Sequence, residues 1–221
     1  MKINILKIEG QGLVVFFLLL FAVSCKKDDD EISITDADGN HYHSVVIGFQ
    51  TWMVENLMTT RLNDGTPLSN LTDAWDWIQP GSPGYCWYDN DASSNKLLYG
   101  ALYNFMAVNS SRLCPEGWHV PDDHEWTTLI DYLGGDSIAS SKMREAVSGA
   151  PGWSSNSTNS SGFSAHPGGF RGGAFFSLRT LGYWWSASST ASLNSYLEIT
   201  SKCKQEAFSY GFGFSVRCLK D

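Results

Sequence analysis

Residues 113–135 read LCPEGWHVPDDHEWTTLIDYLGG. A cysteine, two histidines and a run of acids crowd this stretch, which reads either as a catalytic or metal constellation or as a structural device. The spacing decides. Trp126, Leu129, Ile130 and Leu133 fall at i, i+3, i+4 and i+7, a single stripe of an α-helix. Asp122 stands where an N-cap belongs and Glu125 follows three residues later, a capping box with Asp in place of Ser or Thr. Pro121 precedes the cap, and Gly134-Gly135 supplies the C-terminal stop. Asp122, Asp123 and Glu125 then complement the positive end of the helix dipole, while His119 and His124 merely flank the cap. The stretch is predicted to be scaffold, with Trp118 and Trp126 in the core.

Working outward, a weaker helix is predicted over 137–148, with Ala139, Met143, Ala146 and Val147 on one side. Residues 149–161 read as a polar, glycine-rich loop around Trp153. Short β-type runs follow at 162–166, 182–188, 195–201, 207–210 and 212–219. Toward the N-terminus, 41–48 and 49–57 read as strands, 58–98 as long loops rich in Asn, Asp, Gly and Pro, and the apolar segment 97–108 as a short helix. No internal repeat is evident. Strands, loops, two helices and then strands again spell α+β rather than alternating α/β.

The chain of 221 residues opens with Lys2, Lys7 and an apolar run over 13–23. Such a run is too short for a spanning helix, which needs roughly 20 residues, and fits the core of a secretory signal. It ends at Phe21-Ala22-Val23-Ser24-Cys25, which resembles a lipobox, with Ala22 where Leu is commoner. Cys25 is therefore the expected lipidation site. The following Lys26-Lys27-Asp28-Asp29-Asp30 is a solvated charge run that also resembles the export signal of surface lipoproteins in Bacteroidetes-type bacteria. The expected organisation is a signal peptide over 1–24, an acidic tether over 25–32 and one domain over 33–221. The expected location is the outer membrane, held by lipid and facing the exterior.

Fifteen basic against 23 acidic residues give a net charge of −8, which excludes a general nucleic-acid binder. Nine Trp and twelve Phe supply large apolar side chains, so the low charged fraction of 17% belongs to a loop-rich globular domain. With Cys25 set aside, Cys86, Cys114, Cys203 and Cys218 remain. An even number in an exported chain favours disulfides, in three possible connectivities. No CxxC pair points to zinc or thiol redox chemistry.

These pieces resemble the Fibrobacter succinogenes major paralogous domain family. The matching blocks are GFQTWMVENL at 48–57, YCWYDND at 85–91, YGALYN at 99–104, CPEGWHVP at 114–121, SGFSA at 161–165, GYWWS at 182–186 and GFSVRC at 213–218. The resemblance implies a single C-type-lectin-like domain, in which a cysteine near the first helix bridges to one in the last strand. It places Cys114 and Cys218 in those positions and leaves Cys86 with Cys203, although Cys203 does not stand at a usual family position.

The sugar-binding branch of that fold holds calcium with a Glu-Pro-Asn or Gln-Pro-Asp triplet and Trp-Asn-Asp, and this chain has neither. It reads Trp184-Trp185-Ser186-Ala187-Ser188 instead. Asp89, Asp91 and Asn95, like Asp36, Asp38 and Asn40, form oxygen-rich spots of the kind hard cations take, but Asx-rich turns usually cap their own backbone. His41 and His43 would share a strand face without a third ligand. No nucleophile elbow, P-loop or HExxH motif is present, and the cysteine spacing does not match that of formylglycine-generating enzymes, which share the fold. Trp75, Trp77 and Trp153, in polar loops, are the candidate ligand-binding residues, while Trp87 is expected to pack. Asp136-Ser137-Ile138 resembles a Bacteroidetes O-glycosylation motif at Ser137. The reading that follows is a non-catalytic, cofactor-free domain that binds a glycan or protein. The alternative is an extracellular hydrolase of surface or dietary polymer, which would need a deep cleft with two convergent carboxylates.

Overall fold

In the computed structural model, which describes residues 34–79, 81–190, 193–208 and 211–221, the opening stretch forms the helix Asp123–Leu133. Its capping box is complete. Asp122 accepts from the Glu125 N–H at 2.8 Å, and Glu125 accepts from the Asp122 N–H at 2.9 Å. Gly134 ends the helix in the left-handed region at φ 108°, as its missing Cβ permits. The stripe Trp126, Leu129, Ile130 and Leu133 is buried. Trp126 packs on Trp52 with ring centroids 4.6 Å apart, and Phe163 and Trp184 complete that half of the core.

The strands fall into four sheets, and the architecture is α+β. The hairpin Ser44–Ile47/Gln50–Met53 pairs through Trp52 with the closing strand Leu219–Lys220, which pairs in turn with Trp118–His119. The tie Cys114–Cys218 clamps this closing strand beside the start of the capped helix, with 6.0 Å between the α-carbons. A three-stranded antiparallel meander runs through Gly182–Ser189, Asn194–Ile199 and Cys203–Phe208. A six-stranded sheet of very short strands orders Phe175–Phe176, Phe170–Arg171, Gly213–Phe214, Leu102–Asn104, Gly84–Cys86 and Ser69–Asn70. Ile34–Thr35 pairs with His41–Tyr42 across a turn that Asp36 closes on the Asp38 and Asn40 N–H groups. No helix among the described residues is long and apolar enough to cross a membrane.

Several expectations are corrected. Among the described residues six α-helices stand where a two-helix layout was expected: Phe105–Val108 and Pro151–Ser154 are added, and the stretch around 58–98 holds Ala74–Ile78 and Ala92–Tyr99. Each starts on an aspartate cap, Asp73 and Asp91, so the local polar residues that suggest loop are helix starts. The predicted helix over 97–108 breaks into the end of Ala92–Tyr99, the strand Leu102–Asn104 and the helix Phe105–Val108. Gly100 is the reason. It sits at φ 70° against residues 56 and 57, where a Cβ would lie 2.7 Å from that of Asn56. Residues 162–166 form no strand, since Gly162 and Ser164 both take positive φ.

Cys86 and Cys203 are not joined; both are free and buried. Cys86 packs with Trp77, Tyr88 and Leu102, and Cys203 in the other cluster with Trp184 and Ile199. Burial pushes each thiol up to about 12, so neither is a nucleophile at neutral pH. The signal segment 1–24, Cys25 and the tether 25–32 lie outside the described residues.

A fully buried guanidinium joins the two halves of the core. Arg217 donates to Asn56 Oδ1 from Nη2 at 2.8 Å and Nε at 3.2 Å, and from Nη1 to the carbonyls of Met53 at 3.2 Å, Phe163 at 2.5 Å and Val54. Its face lies 4.4 Å from the Phe163 ring centroid. Burial lowers its pKa to about 9, which still leaves it charged at pH 7.

Candidate aromatic binding cleft

The period of two along the meander builds a second aromatic surface. Tyr183 faces Glu198 and Lys204 in one row of the sheet, and Trp185 faces Tyr196 and Glu206 in the next. Residues directly opposite in an antiparallel pair share a face, so these six side chains do. The strand Gly213–Phe214 brings Phe214 against this face. Its ring lies 4.5 Å from Trp185, 4.7 Å from Tyr196 and 5.4 Å from Tyr183, the last pair stacked at 21°. Phe212 stacks beside Phe214 at 6.0 Å and 20°, and Phe170 meets Tyr183 edge-on at 5.1 Å. The approach of Phe214 requires Gly213, because a Cβ there would lie 2.1 Å from the Trp77 ring.

Phe170, Tyr183, Tyr196, Glu198, Phe212 and Phe214 line an open cleft of about 280 Å³. Phe170, Phe212 and Glu198 are partly exposed, while Tyr183, Tyr196 and Phe214 form the buried floor. Burial and then the Glu198 charge push the Tyr183 phenol up to about 12. Burial followed by Glu198 and Glu206 raises Tyr196 in the same way. Both phenols are therefore neutral, and their hydroxyls can donate or accept. The rings offer apolar faces, and Glu198 offers the one charged group of the lining. Such a lining can engage a group by stacking, cation–π attraction and an ionic contact.

The tryptophans singled out from the sequence divide. Trp75 is 65% exposed. Trp77 and Trp153 are buried, which removes them as ligand contacts. Trp77 lies beneath Gly213 beside Arg171, and Trp153 donates to the Glu145 carbonyl at 2.9 Å with the Arg144 guanidinium 5.6 Å from its ring. Trp87 is buried.

The oxygen-rich spots are used by the chain itself. Asp91 caps Ala92–Tyr99 through the Ser93 and Ser94 N–H groups, Asn95 donates to the Tyr88 carbonyl at 2.9 Å, and Asp89 lies in a left-handed turn at φ 52°. Asp38 bonds Thr60 and Arg61. His41 pairs with Thr35 and His43 with Glu55 rather than with each other. Among the described residues no His, Cys, Asp or Glu group is arranged to hold a metal. Ser137 is exposed in the first turn of the helix Asp136–Met143.

A cavity of about 300 Å³ beside the disulfide is lined by His119, Asp122 and Glu125 among others. Both imidazole nitrogens are occupied, Nδ1 by Asp221 at 2.6 Å and Nε2 by Glu125 at 2.9 Å. Partial burial opposes the charged ring, but these two carboxylates outweigh it and raise its pKa. With no free nitrogen lone pair, His119 is a strut rather than a base.

A sequence profile of the Fibrobacter succinogenes major domain (Fib_succ_major) matches residues 45–220. The chain belongs to that family. No curated protein and no solved structure matches it. The family span contains the core apart from Ile34 and Tyr42, the Cys114–Cys218 tie and the residues that line the aromatic cleft.

The cleft was not among the candidates drawn from the sequence. Its residues are scattered over 170–214 on separate strands, and the only local trace is alternation: Tyr183/Trp185, Tyr196/Glu198 and Phe212/Phe214.

Proposed function

We propose that this family member is the globular part of a surface-exposed outer-membrane lipoprotein, and that it acts as a non-catalytic binding domain whose aromatic cleft receives a glycan or protein ligand. The cleft of Phe170, Tyr183, Tyr196, Phe212 and Phe214 with Glu198 carries the reading. Concave aromatic surface with few polar groups is the usual form of a ligand site. Hydrolysis of a polymer by paired acids needs two carboxylates about the scissile bond; among the described residues Glu198 alone lines this cleft, with Glu206 in the next row of the same face. The lipobox-like residues ending at Cys25 and the charged tether support attachment at the outer surface. The α+β layout and the Cys114–Cys218 tie support the finer reading of a C-type-lectin-like domain.

The test is a glycan array with a pull-down from surface extracts, comparing wild type with Phe170→Ala, Phe212→Ala and Trp75→Ala. Loss of signal in the two phenylalanine variants is expected. Turnover of a polymer substrate that survives both substitutions would replace this reading with the hydrolase. Protease shaving of intact cells, with Cys25→Ser as the unanchored control, tests the location.

A further inference from the structure

Resting on the reading of the cleft as a ligand site, the next question is which group enters it. Its lining is aromatic except for one carboxylate, and the Glu198 side chain makes no hydrogen bond or ion pair among the described residues. Lys204 stands directly opposite Glu198 in the sheet register, yet it forms no ion pair with it. Glu206 adds a second negative charge to the same face, opposite Tyr196. The result is a partly buried anion at the edge of five ring faces, in a chain of net charge −8. Ring faces attract cations, and more strongly where water is thinned out.

We propose that the cleft receives a lysine side chain of a protein partner, with its methylenes against the rings and its ammonium at Glu198. Three observations separate this occupant from others. Glu198 is the one charged group that lines the cleft among the described residues, and Glu206 stands on the same face, so the charge there favours a cation. The five rings match a straight hydrocarbon stem, as lysine stems commonly lie along apolar surface. A phosphate-bearing headgroup would meet Glu198 and Glu206 as like charges.

The experiment is an NMR titration of the purified protein with Nα-acetyl-lysine amide and with its uncharged isostere Nα-acetyl-norleucine amide. D-glucosamine serves as the sugar-borne source of the same ammonium. The lysine amide is expected to shift resonances of Tyr183, Tyr196 and Phe212, with the norleucine amide at least tenfold weaker. Glu198→Gln should remove that difference while leaving the spectrum folded, and Lys204→Met should tighten lysine binding by relieving local positive charge. Equal binding of the two amides, no effect of Glu198→Gln, or glucosamine binding tenfold better than the lysine amide would overturn the proposal. If the lysine amide fails while Phe212→Ala still abolishes array or pull-down binding, the lysine inference falls and the binding cleft stands. If Phe212→Ala changes neither assay, the cleft itself is not the site.

Discussion

Replacing Asn56 by alanine tests how the core tolerates a buried charge. Asn56 Oδ1 accepts three bonds, from Arg217 Nε at 3.2 Å, Arg217 Nη2 at 2.8 Å and Trp184 Nε1 at 2.8 Å. Its amide nitrogen donates to the Tyr99 carbonyl at 2.9 Å. In Asn56→Ala the guanidinium keeps the carbonyls of Met53, Val54 and Phe163 through Nη1, but Nε loses its acceptor and the Trp184 indole is orphaned. An unsatisfied buried donor costs about 1–3 kcal/mol, and more for a charged group. One neutral and one charged orphan together give about 4 kcal/mol, a large share of the roughly 5–15 kcal/mol that holds a domain together. Arg217→Met behaves differently. It removes the charge and all its donors at once, and the carbonyls left behind tolerate under-pairing better than N–H groups do. Arg217 has only neutral acceptors as partners, so its removal leaves no buried charge behind, and a loss of about 1–2 kcal/mol is expected from the unpaired acceptors. The ranking is the test, read by urea denaturation followed by tryptophan fluorescence. At a slope of about 2 kcal/mol per molar, Asn56→Ala should lower the midpoint by about 2 M. Arg217→Met should lower it by less than half that amount, and Asn56→Leu combined with Arg217→Met should recover most of the Asn56→Ala loss. A midpoint lower for Arg217→Met than for Asn56→Ala would refute the reasoning, because the net attraction of the charge would then outweigh its desolvation.

Four further outcomes are expected. Removing the Cys114–Cys218 tie, which closes a loop of 104 residues, should destabilise by about 4–5 kcal/mol on the chain-entropy account, measured by the same denaturation with the double alanine variant. In a Cys25→Ser variant, Ellman's reagent should label neither Cys86 nor Cys203 before unfolding and both after it; rapid labelling of either in the native state would contradict their burial. Trp77→Ala should cost about 3–5 kcal/mol as a buried aromatic, whereas Trp75→Ala should leave the midpoint nearly unchanged. The raised pKa of His119 means its two carboxylate contacts stabilise fully below the unfolded histidine's value near 6.5. That contribution is lost as pH rises through the raised folded value, so His119→Gln should flatten the fall in stability as pH rises from the unfolded value upward.

The helix Asp123–Leu133 was legible because everything that makes it lies within one stretch. The stripe spans eight residues, and the capping box and the terminal glycine act over four or fewer. The pairing of Cys114 with Cys218 came from resemblance to a family, since spacing alone allowed three connectivities. The helices Ala74–Ile78 and Ala92–Tyr99 were hidden because their aspartate caps carry the same residues that make loops. Exposure of the tryptophans was equally illegible. Trp75 and Trp77 are two residues apart on one short helix, and only the approach of Gly213 decides that Trp77 is covered and Trp75 is not.

Local chemistry therefore determined the capped helix, the α+β class, the acidity and the lack of any known catalytic motif, because each is a property of residues near one another in the chain. The aromatic cleft, the two free thiols and the buried Arg217–Asn56 contact were decided only by tertiary structure. Their partners come from distant segments, as Arg217 and Asn56 do at a separation of 161 residues. Side-chain alternation fixes which residues share a face of a strand, but only the packing of a second sheet or strand determines whether that face becomes core or a place where something else can bind.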